Sequence, residues 1–318
     1  MSDILKYRFP NEKKRKKEGD FVALERMEDF EGFIVKAFVG ETYFGFQESN
    51  DSRESYFNSE IKPKCYSKNE YLDLANQYLE QFKKNRVSKA ILSRIKQVNS
   101  PLNPEIYYDA LCEKYPNAFV YLISSKEFGT WIGATPEVLV SIEDGIGKTM
   151  ALAGTRPAND LIEWTDKERD EQQYVTDYID SKLNGLAIET IKSIGPKTLV
   201  SGPVEHLLTD FEFEMKATSL VELIETLHPT PAVCGLPLRE SFEIINKIER
   251  HDRGLYTGLI GWIGAETQLY VNLRCAQIID TECYLYVGGG LTIDSNPENE
   301  WVETENKAKT LLNVMENL

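Results

Sequence analysis

Two carboxylate pairs and three isolated charges are the residues of this chain best placed to do chemistry. Glu300, Glu303 and Lys307 recur at i, i+3 and i+7. On a helix that spacing puts two carboxylates and one ammonium on a single face. Glu168 and Glu171 repeat the acidic i,i+3 spacing elsewhere in the chain. Four converging carboxylates would make an all-oxygen site for a hard cation. Mg²⁺ suits such a site, because it keeps several waters and shares itself with an anionic substrate. The three histidines, His206, His228 and His251, lack zinc-ligand spacing. Plainer readings stand beside this one. The 300–307 face reads equally as a solvated charged surface, and Glu168 as a helix cap. The spacing leaves open whether the two pairs meet.

Lys89 is followed by Ala90, Ile91 and Leu92. A buried lysine loses its charge more easily and can act as a base near neutral pH. The alternative is a lysine whose stem is covered while its ammonium reaches water. Glu137 follows Pro136 between two strand-like runs; it projects into a cleft or lies exposed in a turn. Arg274 stands mid-strand in Val271-Asn-Leu-Arg-Cys. A charge there must be paired or hold an anion.

These residues need elements to position them. Asn296 and Pro297 supply an N-cap and first position for a helix carrying the 300–307 face, with Trp301, Ala308, Leu312 and Met315 as its apolar side. The three glycines 288–290 before it let backbone approach a ligand closely. Thr165 with Glu168, and Ser67 with Glu70, are capping boxes. Residues 89–98, 118–123, 130–133, 138–142, 211–215, 259–263, 269–279 and 284–287 read as strands, and 33–46 as a hairpin. Residues 219–227 read as a helix stopped by His228-Pro229, since proline disfavours helical geometry in the residue before it. Short strands in series favour an antiparallel sheet over a βαβ repeat. The expected architecture is an α+β sandwich: large, mostly antiparallel sheets inside, helices outside, two lobes around a cleft. Residues 1–65 form a scaffold part and 66–318 the catalytic unit.

Composition narrows the class. The 318 residues are 42% hydrophobic, enough for a sizeable core. The net charge of −15 argues against nucleic acid, and an anionic substrate would need local positive charge or a metal. Five cysteines without a CxxC fit a reduced, cytoplasmic protein. No apolar run suggests a signal peptide or a membrane span. Lys13 to Lys17 reads as a solvated basic turn.

Taken in order, VSKAILSR, WIGATPEVL, ALAGTRP, the helix start at Glu168, HPTPAVCGLP, DRGLYTGLIGWIG, VNLRCA and GGGLTIDSNPENEWVETENK resemble the chorismate-utilising enzymes. That family includes isochorismate synthase, salicylate synthase and the anthranilate synthase large subunit. The resemblance runs from about Lys89 to the C-terminus and is nearest to isochorismate synthase. It implies Mg²⁺ held by Glu171 and Glu303, with Glu168 and Glu300 holding metal-bound waters. It implies that Lys89 activates water for attack at C2 of chorismate and that Glu137 protonates the departing C4 hydroxyl. As base, Lys89 must be neutral, which asks its pKa to fall from about 10.4 toward about 7–8. Gly154, Thr155, His228, Thr230, Arg274, Gly288 and Lys307 would bind the substrate. Ala153 stands where aminodeoxychorismate synthases carry a nucleophilic lysine, which speaks against a covalent intermediate. Gln172 replaces a histidine common after the metal-binding glutamate, and the N-terminal part is short. The other activities of the family, salicylate formation first among them and then anthranilate formation, remain as alternatives, as does a chorismate-binding protein without activity. The resemblance further implies a monomer without a glutaminase subunit, in menaquinone or siderophore synthesis.

Overall fold

A computed structural model of the chain describes residues 2–49, 55–59, 61–85, 87–99, 103–158, 163–186, 188, 191–215 and 218–318. Its strands are β1 (Asp3–Arg8), β2 (Arg15–Ala23), β3 (Gly32–Lys36), β4 (Tyr43–Glu48), β5 (Lys89–Asn99), β6 (Phe119–Ser125), β7 (Gly129–Thr135), β8 (Val138–Glu143), β9 (Ile146–Pro157), β10 (Ile191–Ser201), β11 (Val204–Glu214), β12 (Gly235–Leu236), β13 (Leu259–Ile263), β14 (Thr267–Val271), β15 (Cys275–Ile279) and β16 (Glu282–Leu291). The helices are α1 (Lys68–Asn85), α2 (Pro104–Lys114), α3 (Asp166–Asn184), α4 (Leu220–Leu227), α5 (Leu238–Ile248) and α6 (Pro297–Met315). All strand pairings among the described residues are antiparallel, in the order β10-β11-β9-β8-β14-β13-β3-β4-β2-β1-β6-β7-β15-β16-β5-β12.

The period of two along each strand sorts side chains into an inner and an outer layer. In β6, Phe119, Tyr121 and Ile123 face inward, while Val120 and Leu122 face the helices. In β16, Tyr284 and Tyr286 face inward, and Cys283, Leu285 and Val287 outward. The sheet folds onto itself across this inner layer. Phe119 of β6 stacks on Tyr270 of β14 with ring centroids 4.5 Å apart, although five strands separate the two in the sheet order. Outside one half, α3 and α4 pack on β8, β9, β11, β13 and β14. Outside the other, α2 and α6 cover β6, β7, β15 and β16, and α1 and α5 cover β5. The α+β sandwich with helices outside is therefore the architecture.

Residues 1–65 contribute β1 to β4, which sit in the middle of the sheet between β13 and β6. The basic cluster at 13–17 runs into β2, with Arg15 paired to Glu12 and Lys17 to Glu48. Among the described residues no helix is long and apolar enough to cross a membrane. All five cysteines are free.

Candidate active site

The acidic helix face and the buried lysine strand meet because β16 and β5 are paired neighbours, and α6 packs back onto β16. Asn296 caps α6 as its sequence demands, accepting from the backbone N–H of Glu298 and Asn299. That fixes the first three turns, which carry Glu300, Glu303 and Lys307. The three glycines give those groups room. A Cβ on Gly290 would lie 2.5 Å from Lys89 Cε. A Cβ on Gly289 would lie 3.4 Å from Glu300 Oε2 and 3.6 Å from Glu303 Oε1. A Cβ on Gly288 would press Tyr256 Oη at 2.9 Å.

The cleft so formed is partly open to solvent. Lys89, Glu137, Gly154, Thr155, Glu171, Arg274, Gly288, Glu303 and Lys307 all line it. Lys89 is 2% exposed, with its Nζ 3.8 Å from Glu171 Oε2. Lys307 Nζ donates to the Gly288 carbonyl at 3.0 Å and pairs with Glu303 Oε1 at 2.7 Å. Glu137 is 3% exposed, and burial pushes its carboxyl up to about 7, although Arg274, Lys89 and Lys307 work against the rise. A carboxylic acid still protonated near neutrality can donate a proton to a leaving group.

Arg274 is held in place by a neighbour that spacing alone did not mark. Arg274 is not mid-strand as the sequence suggests: it lies in the connection 272–274 between β14 and β15, with a left-handed backbone, φ 47°. Its Nη2 donates to His206 Nε2 at 2.8 Å, and His206 Nδ1 lies 2.9 Å from the Gly154 carbonyl and 3.3 Å from Thr155 Oγ1. A guanidinium can only donate and a carbonyl can only accept, so His206 is neutral with its proton on Nδ1. Burial, with Arg274 and Lys307 adding to it, lowers the His206 pKa well below its usual value, which agrees. Gly154 takes φ 63°, and a Cβ there would press the Glu168 carbonyl at 3.0 Å. Arg274 Nε is buried without a partner, a donor left for an anion.

Three of the four predicted metal-site carboxylates come together. Glu171, Glu300 and Glu303 are joined through ammonium groups: Lys167 Nζ lies 2.7 Å from Glu300 Oε1 and 4.0 Å from Glu171 Oε1, and Lys307 holds Glu303. Burial and then Glu303 push Glu300 up to about 7. Burial also raises Glu171. For Glu303 burial would do the same, but the ion pair with Lys307 outweighs it and holds the group low. Glu168 does not join them. Its Oε2 accepts from the Thr165 backbone at 3.0 Å and from the Thr165 hydroxyl, so the capping box consumes the carboxylate. Gln172, in place of a histidine, turns away to bond the Ala153 N–H and the Ala151 carbonyl. Among the described residues no three or more His, Cys, Asp or Glu side chains are placed so that they could hold a metal ion. The donors do fit a hard cation: all are carboxylate oxygens, and Glu300 Oε2 is buried with no partner.

His228 and Thr230 are not part of the cleft wall. Backbone turns closing on the Thr230 carbonyl bring Ala232 and Val233 to it instead. His228 stands behind, its Nε2 2.9 Å from the carbonyl of Thr257, which does line the cleft. Sequence spacing also gave no sign of Tyr256 or Lys167. Nothing in the mixed polar and apolar sequence of β11 singled out His206.

A family model described as "Chorismate binding enzyme" matches residues 34–316. The chain belongs to this family. Among its relatives, isochorismate synthase EntC of Escherichia coli (strain K12) is 28% identical over 244 residues, 72% of this chain. Anthranilate synthase component 1 of Aquifex aeolicus (strain VF5) is 27% identical over 271 residues, 79% of this chain. The chain spans 62% of the length of the first and 54% of the second. The solved structure of MenF, the menaquinone-specific isochorismate synthase from Escherichia coli, superposes with a TM-score of 0.83 at 20% identity, covering 98% of this chain and 88% of that one. At that identity the superposition bears on the fold.

Proposed function

We propose that this chain is a Mg²⁺-dependent isochorismate synthase. The observation that carries the reading is a buried lysine and a buried, proton-holding glutamic acid lining one cleft, beside a carboxylate cluster and an arginine with a free donor. Lys89 takes a proton from water as its oxygen bonds to C2 of chorismate. The ring double bonds shift, the C4–O bond breaks, and Glu137 supplies the proton that lets the hydroxyl leave as water. One water enters and one leaves, so the reaction is an isomerisation. Arg274, aimed by His206, and Lys307 bind the carboxylates of the substrate. Glu171, Glu300 and Glu303 would hold the metal, which when bound neutralises and orients the ring carboxylate. We read the protein as a cytoplasmic monomer that works without a glutaminase subunit.

The test is a product assay with chorismate and Mg²⁺, with and without EDTA. Isochorismate alone, lost on chelation, is the expected result. Salicylate with pyruvate would rename the enzyme, and a product requiring ammonia would replace the reading with anthranilate formation.

Gly290→Ala tests the placement of Lys89. The new methyl meets the far end of a flexible side chain, so the fold absorbs it, but Lys89 must move. A displaced catalytic group costs about 10²-fold for a shift near 1 Å. We expect a turnover loss of that order with circular dichroism and melting temperature nearly unchanged. Near-full activity would mean that Lys89 does not act from this position.

A further inference from the structure

We propose that the Lys167 ammonium is a tethered counter-ion seated in the carboxylate cluster, which a divalent cation must displace in order to bind. The inference rests on the reading that this cluster takes Mg²⁺.

Three carboxylates in the cluster, Glu171, Glu300 and Glu303, face the ammonium groups of Lys167 and Lys307, and Lys89 Nζ lies beside Glu171. A dication entering the cluster must compete with the ammonium groups already seated among its carboxylates. The three lysines differ in their freedom to leave. The Lys89 and Lys307 side chains are 3% and 13% exposed, and Lys307 is also bonded to the Gly288 carbonyl. Lys167 is 38% exposed and stands in the first turn of α3, so its stem can swing the ammonium into water. It also holds the most informative carboxylate. Glu300 is 1% exposed, with one oxygen taken by Lys167 and Ser295 and the other buried without a partner. A buried carboxylate oxygen is left unpaired only at a cost, unless a ligand completes it.

Spacing on α3 favours the same arrangement. Lys167 and Glu171 are i,i+4, neighbours on one helix face. Lys167 thus reaches Glu300 of α6 while staying over Glu171 of its own helix. It joins the two helices whose carboxylates would hold a metal.

The experiment is calorimetric titration of the full chain with MgCl₂ alone, at pH 8.5 and fixed salt, for wild type, Lys167→Met and Lys167→Arg. The methionine variant keeps the stem without the charge. It should bind Mg²⁺ several-fold to about tenfold tighter, the scale of one half-buried ion pair. The arginine variant, still charged, should stay within about twofold of wild type. In a Glu300→Gln background the gain from Lys167→Met should vanish, because the contested carboxylate is gone. Equal or weaker binding by Lys167→Met, with wild-type binding intact, overturns the counter-ion inference and leaves the Mg²⁺ reading standing. No binding by any of the chains at millimolar Mg²⁺ removes the metal reading and this inference with it.

Discussion

Lys89→Gln is expected to lower the turnover of chorismate by about 10³-fold, within the 10²–10⁴ range for losing a general base, while the protein stays folded. Lys89 begins β5, paired to Leu236 of β12, and its stem lies in the space left by Gly290. Glutamine fits that space but cannot accept a proton from water near neutral pH. The decisive companion is Lys89→Arg. Arginine keeps a positive charge at all working pH values and cannot act as a base. If Lys89 serves only to balance Glu171 or to attract an anion, the arginine variant should recover much of the activity and keep its KM. If Lys89 is the base, the arginine variant should be as slow as the glutamine one. Steady-state kinetics on the three proteins separates these outcomes. Activity within tenfold of wild type in Lys89→Arg would sink the base assignment.

That Lys89 deserved attention was legible without coordinates, because a charge beside Ala90, Ile91 and Leu92 must be explained. Local rules were equally readable. Asn296 caps its helix, and Ser67 with Glu70 closes a capping box. The hairpin over 33–46 forms as β3 and β4. What failed to show was any relation between elements. Strand β10 is mostly exposed and lacks the apolar alternation that marks a buried strand, so residues 191–201 gave no pattern to read. The fates of the acidic pairs diverge for a similar reason. Spacing says that Glu168 and Glu171 share a helix face, but Thr165 is close enough to claim Glu168 first. Glu300 shares one oxygen between the nearby Ser295 hydroxyl and Lys167, 133 positions away, and its other oxygen keeps no partner. His206 of β11 and Arg274, in the connection after β14, meet across 68 positions through the order β11-β9-β8-β14, which no single segment encodes.

The second large effect belongs to Glu137→Gln. We expect a loss of about 10²–10⁴-fold in turnover, because an amide cannot deliver a proton to the departing hydroxyl. The pH dependence carries more information than the loss. Burial puts the Glu137 carboxyl near 7, so the acid form dominates below that value. In the wild type, kcat/KM should fall as pH rises through about 7, as the proton donor ionises. The residual activity of the glutamine variant should lack that alkaline limb. Stability gives a second readout with a fixed sign. In the unfolded chain a glutamate titrates near its ordinary value of about 4.3, well below the folded one. Between the two values the folded state binds more protons than the unfolded state, so this group costs stability as pH rises through that window. Glutamine has no such term. The stability difference between Glu137→Gln and wild type should therefore shift in favour of the variant from pH 4.5 to pH 8. Denaturant melts at both ends of that range measure the shift. A difference that does not change with pH would mean that Glu137 is ionised throughout, and an ionised carboxylate cannot serve as the acid.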